Sequence, residues 1–189
     1  MAGYSAISDV GNAIIKLLSR NMVPEIIPTA DSIGLCSPDE RGDLVLGVYL
    51  YDVHESDEIA GNRSSVTGEK SQRFPSSFLN LHFSITAYST SDIRFRASEE
   101  QRILGKVTQI MSDNPVLQSE AITSSTYPVR IEMQRMDSEE KMKLGNLPNM
   151  PKKLSLYYKV YPIEIESMRT KTITRVVDID FEVDQKPEV

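Results

Sequence analysis

The stretch FLNLHFSITAYS (78–89) alternates: Leu79, Leu81, Phe83, Ile85 and Ala87 fall on one face, Asn80, His82, Ser84 and Thr86 on the other. Successive side chains of a strand point to opposite sides, so this pattern predicts a half-covered strand with one apolar face. Upstream, LVLGVYLYDV (44–53) is apolar on both faces for nearly its whole length, which suits an internal strand covered on both sides. Between the two, residues 54–77 lose apolar periodicity and fill with Ser, Gly, Glu, Asn, Lys and Arg. That composition predicts a long exposed loop, longer than a compact domain keeps without a use for it. The two strands are expected to pair across it as a wide hairpin.

Helical spacing flanks this pair. Over residues 4–20, Ile7, Val10, Ile14, Leu17 and Leu18 line one side of a helix, with Ser5 or Ser8 near its start and Pro24 just beyond its end. A short extended piece is expected around Ile26 and Ile27. In EEQRILGKVTQIMSDNPVL (99–117), Ile103, Leu104, Val107, Ile110 and Met111 form a second stripe. Ser98 and Gln101 stand at capping-box spacing, and Asn114-Pro115 is a stop. Gly105 falls mid-helix, where glycine costs about 1 kcal/mol against alanine. It is read as a close approach of another backbone, from the sheet or from a neighbouring subunit.

Further on, PVRIEMQRM (128–136) reads as a third long strand, and DSEEKMKLG (137–145) as a short helix with Asp137 and Glu140 in capping-box spacing. KLSLYYKVYPIEIES (153–167) is a fourth strand in which Pro162 calls for an edge position or a bulge. TITRVVDIDFEVD (172–184) is a fifth candidate, an extension able to add to a sheet elsewhere. The expected fold class is α+β: a mixed, largely antiparallel sheet of four to five strands flanked by two main helices. Residues 1–167 form the domain, and 168–189 a C-terminal extension read as a subunit- or partner-binding strand.

With 189 residues, 40% of them hydrophobic, the chain can bury one sizeable core without disulfides or metals. Its 21 Lys+Arg against 27 Asp+Glu give a net charge of -6, the wrong sign for a nucleic-acid binder. The charge is uneven: 141–175 carries eight basic and two acidic side chains, 178–188 five acids and one lysine. The acidic stretch could fold back on the basic one, or each could face a different partner. Cys36 is the single cysteine, which excludes an internal disulfide and reads as a small apolar filler. The start lacks the basic region of a signal peptide, and no apolar run approaches the roughly 18 residues of a membrane span. A cytoplasmic product without membrane partners is expected.

Candidate chemistry is sparse. A phosphate-binding loop needs glycine, four residues, then Gly-Lys-Ser/Thr ahead of a helix. Here Gly105-Lys106 is followed by Val107, position 100 is Glu, and the step lies where helix amides are already bonded. His54 and His82 have no partner at ligand spacing. Asp178, Asp180, Glu182 and Asp184 alternate along the last strand, where acids discourage edge aggregation or face a neighbouring subunit. Glu99-Glu100 and Glu139-Glu140 read as helix-start acids favoured by the macrodipole. No hydrolase, zinc-protease or dinucleotide fingerprint occurs, so no enzyme, cofactor or metal is expected.

The order of pieces carries more. YSAISDVGNAIIKLL (4–18), LCSPDE (35–40), LGVYLYDVHES (46–56) running into a polar loop, LNLHFSITAYS (79–89), EEQRILGKVTQIMSDNPVL and LPNMPKKLSLYYKVYPIEI (147–165) follow one another with characteristic gaps. Over 1–167 this resembles the N-terminal domain family of the cap, or tail terminator, protein of contractile injection systems. Those are phage-tail-like particles such as the Photorhabdus virulence cassettes and the antifeeding prophage. The chain departs from the pattern at EEKMKLGNLPNMP (139–151), which lacks the expected large aromatic, and residues 168–189 lie outside it. The resemblance implies a phage tail-terminator-like fold and a structural ring, expected to be hexameric. Such a ring closes the distal end of inner tube and sheath, stops their growth, and has the tube and sheath proteins as partners. The 54–77 loop and the segment from Met168 are the expected contact elements. Arg94, Arg96, Glu100 and Arg102, with Asp178 and Asp180, are candidates for pairing between neighbours. The alternative is a monomeric adaptor or peptide/cargo-binding module of the same kind of particle.

Overall fold

The structure is a computed structural model describing residues 3–56, 65–66, 71–118, 127–145 and 153–172. Helix α1, Ala6–Met22, buries Val10, Ile14 and Leu18 as the spacing predicts, and adds Ala6, Ala13 and Met22. Neither expected serine caps it: Ser5 Oγ donates to Asp9 Oδ2 at 2.9 Å and Ser8 Oγ to the Ser5 carbonyl at 2.8 Å. The helix stops before Val23-Pro24, as expected. The extended piece expected at Ile26 and Ile27 is instead a turn, because both amides donate back to the Met22 carbonyl and Ile27 drops into the core.

The extended segment comes later, as strand β1, Ile33–Leu35, which runs parallel to β2, Leu46–Glu55. β2 pairs antiparallel with β5, Ser77–Ala87, so the wide hairpin forms. A five-stranded mixed sheet results, in the order β1-β2-β5-β7-β6, where β6 is Arg130–Met133 and β7 Ser155–Ile165. Inside the polar 54–77 stretch the described residues are not wholly loop. β3, Ser65–Val66, pairs with β4, Ser71–Arg73, and β4 pairs with β8, Thr170–Thr172, as a second, three-stranded sheet. Such short strands rest on backbone hydrogen bonds and need no apolar periodicity to form.

One face of the large sheet carries both main helices: α1 lies against β1, β2 and β7, and α2, Ile93–Asp113, against β5 and β6. Between them sit Val10, Ile14, Leu18, Leu46, Val48, Leu81, Phe83, Ile85, Leu104, Val107 and Val160, all nearly or fully buried. The other face corrects a sequence expectation. Asn80, His82, Ser84 and Thr86 are buried as well, so β5 is covered on both sides. Side chains from its neighbours lie over them: Tyr51 packs edge-on against His82 and Tyr157, and Thr86 Oγ1 bonds Ser155 Oγ at 2.7 Å. Thr86 is tolerated there because β7 supplies its hydrogen bond, whereas Asn80 Oδ1 is buried without a partner among the described residues. Conversely, β2 is covered on both faces only at Leu46, Gly47 and Val48, where β1 pairs with it; Tyr49, Val53 and Glu55 are exposed.

Strand β6 spans four residues rather than the long strand expected, since only Ile131 in it is buried and little apolar area draws it further into the sheet. In β7, Pro162 sits where the β5 register shifts, with Leu79 opposite Ile163 and Leu81 opposite Val160. It also lies one residue past the last β6 partner, Tyr161, so the amide it lacks has no ladder position to fill. The bulge reading therefore holds. Helix α3, Ser138–Gly145, has the capping box read from sequence: Asp137 Oδ1 accepts from the Glu140 amide at 2.7 Å and Glu140 Oε2 from the Asp137 amide at 3.2 Å.

Helix α2 stops before Asn114-Pro115 as expected but starts five residues earlier than Ser98. Its cap is Asp92, whose carboxylate accepts from the Arg94 amide at 3.2 Å. The first turn buries nothing, so no apolar stripe announced it. Gly105 is exposed, and a side-chain carbon built on it meets nothing within 4 Å. The sheet is thus not what approaches Gly105. The 172–184 strand lies outside the described residues except for Thr172.

Candidate functional site

The sequence candidates fall at opposite ends of the large sheet. Ser77 faces Ile165 at one end and Thr86 faces Ser155 at the other. Nine residues of strand at about 3.3 Å each set the ends roughly 30 Å apart.

At the Thr86/Ser155 end, α2 is pinned to the sheet by its acids. Glu99 Oε2 accepts from the hydroxyls of Ser89 and Ser91, and Glu100 Oε1 takes Lys153 Nζ at 2.5 Å and the Ser89 amide at 3.2 Å. The Ser89 and Ser91 hydrogen bonds, helped by the Arg102 charge, hold the Glu99 carboxyl below the usual range. Glu99 and Glu100 therefore stand in the second turn as ties to the strand ends. They are not the solvated helix-start acids expected, and Glu100 is committed within its own chain.

The first turn beyond these ties is different. Ile93 is 79% exposed and Phe95 64%. Among the described residues, Arg94 reaches only the exposed Asp92 carboxylate, at 3.6 Å, and Arg96 only the Ser91 carbonyl, at 3.4 Å. Arg102 lies exposed two turns on. The macrodipole disfavours cations at a helix start, and this first turn holds no acid. Two exposed apolar side chains alternating with two arginines thus oppose both helix electrostatics and solvation. The signal was legible in IRFRA as apolar residues off the buried stripe, yet Ile93, Phe95 and Asp92 were not singled out.

At the Ser77/Ile165 end, the two expected contact elements meet. β4 comes from the 54–77 stretch and β8 from the C-terminal segment, with Gln72 opposite Lys171. Arg73 Nη1 bonds Glu166 Oε2, the Phe74 amide donates to the Arg169 carbonyl at 3.0 Å, and the Arg169 guanidinium lies 4.4 Å from the Phe74 ring centre. Met168, 97% exposed, projects beside them. Asp178 and Asp180 fall outside the described residues.

The histidines, far apart in sequence, come together on the covered polar face. Their rings stack with centroids 4.6 Å apart. His82 Nδ1 is 2.6 Å from Gln134 Oε1, which also accepts from the Tyr51 hydroxyl at 3.2 Å. An amide oxygen only accepts, so Nδ1 carries the proton, and Nε2 is buried without a partner among the described residues. Burial pushes the Tyr51 phenol up to about 12, with Tyr157, Asp52 and Glu140 adding to it. Stacked rings do not aim nitrogens at a common point, and among the described residues no three His, Cys, Asp or Glu side chains are grouped to hold a metal. Burial also pushes the Cys36 thiol up, away from thiolate chemistry, and its Sγ packs against Gly47. Among the described residues no helix is long and apolar enough to cross a membrane.

The family model of the Pvc16 N-terminal domain matches residues 9–179. The match runs past residue 167, so part of the C-terminal segment lies within the family pattern. No curated relative matches the chain in sequence. Among solved structures, it is similar to the PVC sheath/tube terminator of an extracellular contractile injection system in its extended state. There the TM-score is 0.63 at 20% identity, covering 97% of this chain and 65% of that one. It is also similar to the anti-feeding prophage cap, a tube-terminating cap, with a TM-score of 0.64 at 19% identity, covering 93% of this chain and 61% of that one. At these identities the likeness establishes the fold, and the chain spans less than two thirds of the length of either structure.

Proposed function

The chain belongs to the Pvc16 N-terminal domain family, and from that membership we propose that it is the structural cap, or terminator, of a contractile injection system. In this reading copies of the chain form a ring, a hexamer, on the distal end of inner tube and sheath. The ring occupies the edges on which the next layer would build, and growth stops by mass action. The observation that carries the reading is the likeness in fold, over nearly the whole of this chain, to a sheath/tube terminator and a tube-terminating cap.

Arg94, Arg96 and Arg102 at one end of the sheet, together with Asp178 and Asp180, are the residues we assign to contacts between copies. Glu100 supports them indirectly, by tying α2 to Lys153. The small β3-β4-β8 sheet is assigned to tube and sheath. The role is structural rather than catalytic, and assembly takes place in the cytoplasm. The monomeric adaptor reading gains no support from any of these features. Deleting the chain from a producing strain and measuring particles by electron microscopy tests the proposal. Tubes and sheaths of scattered, overlong length are expected; uniform lengths of stable particles would contradict it.

A further inference from the structure

Resting on the ring reading, we propose that the exposed start of α2 is the receptor for the acidic 177–184 segment of a second copy of this chain. The receptor presents Ile93 and Phe95, largely exposed, alternating with Arg94 and Arg96. The segment VDIDFEVD (177–184) alternates Val177, Ile179, Phe181 and Val183 with Asp178, Asp180, Glu182 and Asp184. Laid down extended, it offers one apolar and one anionic edge, matching a surface that exposes apolar and cationic groups together. An anion also meets the positive dipole end of the helix, the term that the arginines oppose. Docking of acids therefore relieves an unfavourable arrangement in the free subunit.

Reach separates the chain's own tail from a neighbour's for the first acids of the segment, Asp178 and Asp180, though not for Asp184, whose twelve residues beyond Thr172 span about 40 Å. Thr172 pairs with Ser71 on the small sheet, which continues from the Ser77/Ile165 end. The α2 start lies past the Thr86/Ser155 end, held there by Glu99 on Ser89 and Ser91 and by Glu100 on Lys153. Asp178 is six residues beyond Thr172 and spans about 20 Å even when fully extended. That falls short of the roughly 30 Å length of the sheet, before the distance to the first helical turn is added. The first acids of the segment thus meet a second copy. Such a contact joins different surfaces on the two partners, so it repeats head to tail and closes into a ring when the rotation allows.

Charge exchange between whole chains tests this. The variants Arg94→Asp/Arg96→Asp and Asp178→Arg/Asp180→Arg are each followed by sedimentation velocity at low salt, alone and mixed in equal amounts. Each alone is expected to raise the protein concentration needed for assembly at least tenfold. The mixture is expected to restore it, because every contact in an alternating assembly then pairs opposite charges. Restoration also shows that both variants fold. If neither variant changes assembly while the unaltered chain forms its ring, the receptor assignment is overturned and the ring reading stands. Weakened variants that the mixture does not restore, but that a chain carrying all four changes does, would overturn the contact between copies in favour of one within the chain. An unaltered chain that stays monomeric at every concentration would overturn both this proposal and the ring.

Discussion

Single residues carry two kinds of constraint here, and glycines separate them. A side-chain carbon on Gly47 would lie 2.6 Å from Cys36 Sγ and 3.0 Å from the Tyr88 ring, so β2 and the residues that follow β1 and β5 meet there with no room for a methyl. Gly47→Ala is expected to cost about 1–3 kcal/mol by overpacking, measured by urea unfolding, and less in a Cys36→Ala background. Gly105→Ala should do the reverse. With open space around it and a helical backbone, alanine is expected to add about 0.5–1 kcal/mol to the subunit. A loss of stability would mean that the local geometry is wrong, whereas a loss of assembly with a gain of stability would place a neighbouring backbone at that point. Glu99 gives a pH signature. Its carboxyl is lowered by the Ser89 and Ser91 hydroxyls, so its contribution is complete above the unfolded value of about 4.3 and disappears as pH falls through the folded one. Below pH 4.3 the unaltered chain should lose stability more steeply than Glu99→Gln; equal slopes would remove the serine contacts from the account.

Elements were legible wherever burial is periodic. The α2 stripe from Ile103 to Met111 faces the sheet as read, and the α3 capping box forms with both hydrogen bonds. Where periodicity is silent the reading failed, and the α2 start is the clearest instance. Asp92 precedes a turn that buries nothing, so Ser98 and Gln101, nearer the stripe, looked like the beginning. The two caps differ measurably: Asp92→Ala should cost about 1 kcal/mol and Ser98→Ala close to nothing by thermal or urea unfolding. The covered polar face of β5 failed for another reason. Alternation reports hydrophobicity rather than burial, and His82 and Thr86 are buried where Tyr51, Gln134 and Ser155, distant in sequence, pack on or bond to them. No local pattern carries such contacts. The same holds for the parallel β1, three residues long, and for the small sheet, whose pairing of β4 with β8 spans about a hundred residues of chain.

At the scale of the whole molecule, a sheet about 30 Å long separates an α2 start that exposes apolar and cationic groups from the small sheet into which the C-terminal segment leads. The candidate arginines were found from charge alone. That Glu99 and Glu100 tie their helix to the strand ends, and that the two expected contact elements pair as β4 and β8, came only from the folded chain. A molecule with unlike ends suits head-to-tail association, and the proposed cap role gives such association a purpose: covering one end of a tube. The direct measurement is to label the purified chain with gold, add it to tubes growing from the tube protein of the same particle, and image them. The account expects gold at one end of each tube, one cluster per tube, with elongation arrested there. Gold scattered along the tubes, or tubes that lengthen past a labelled end, would contradict it.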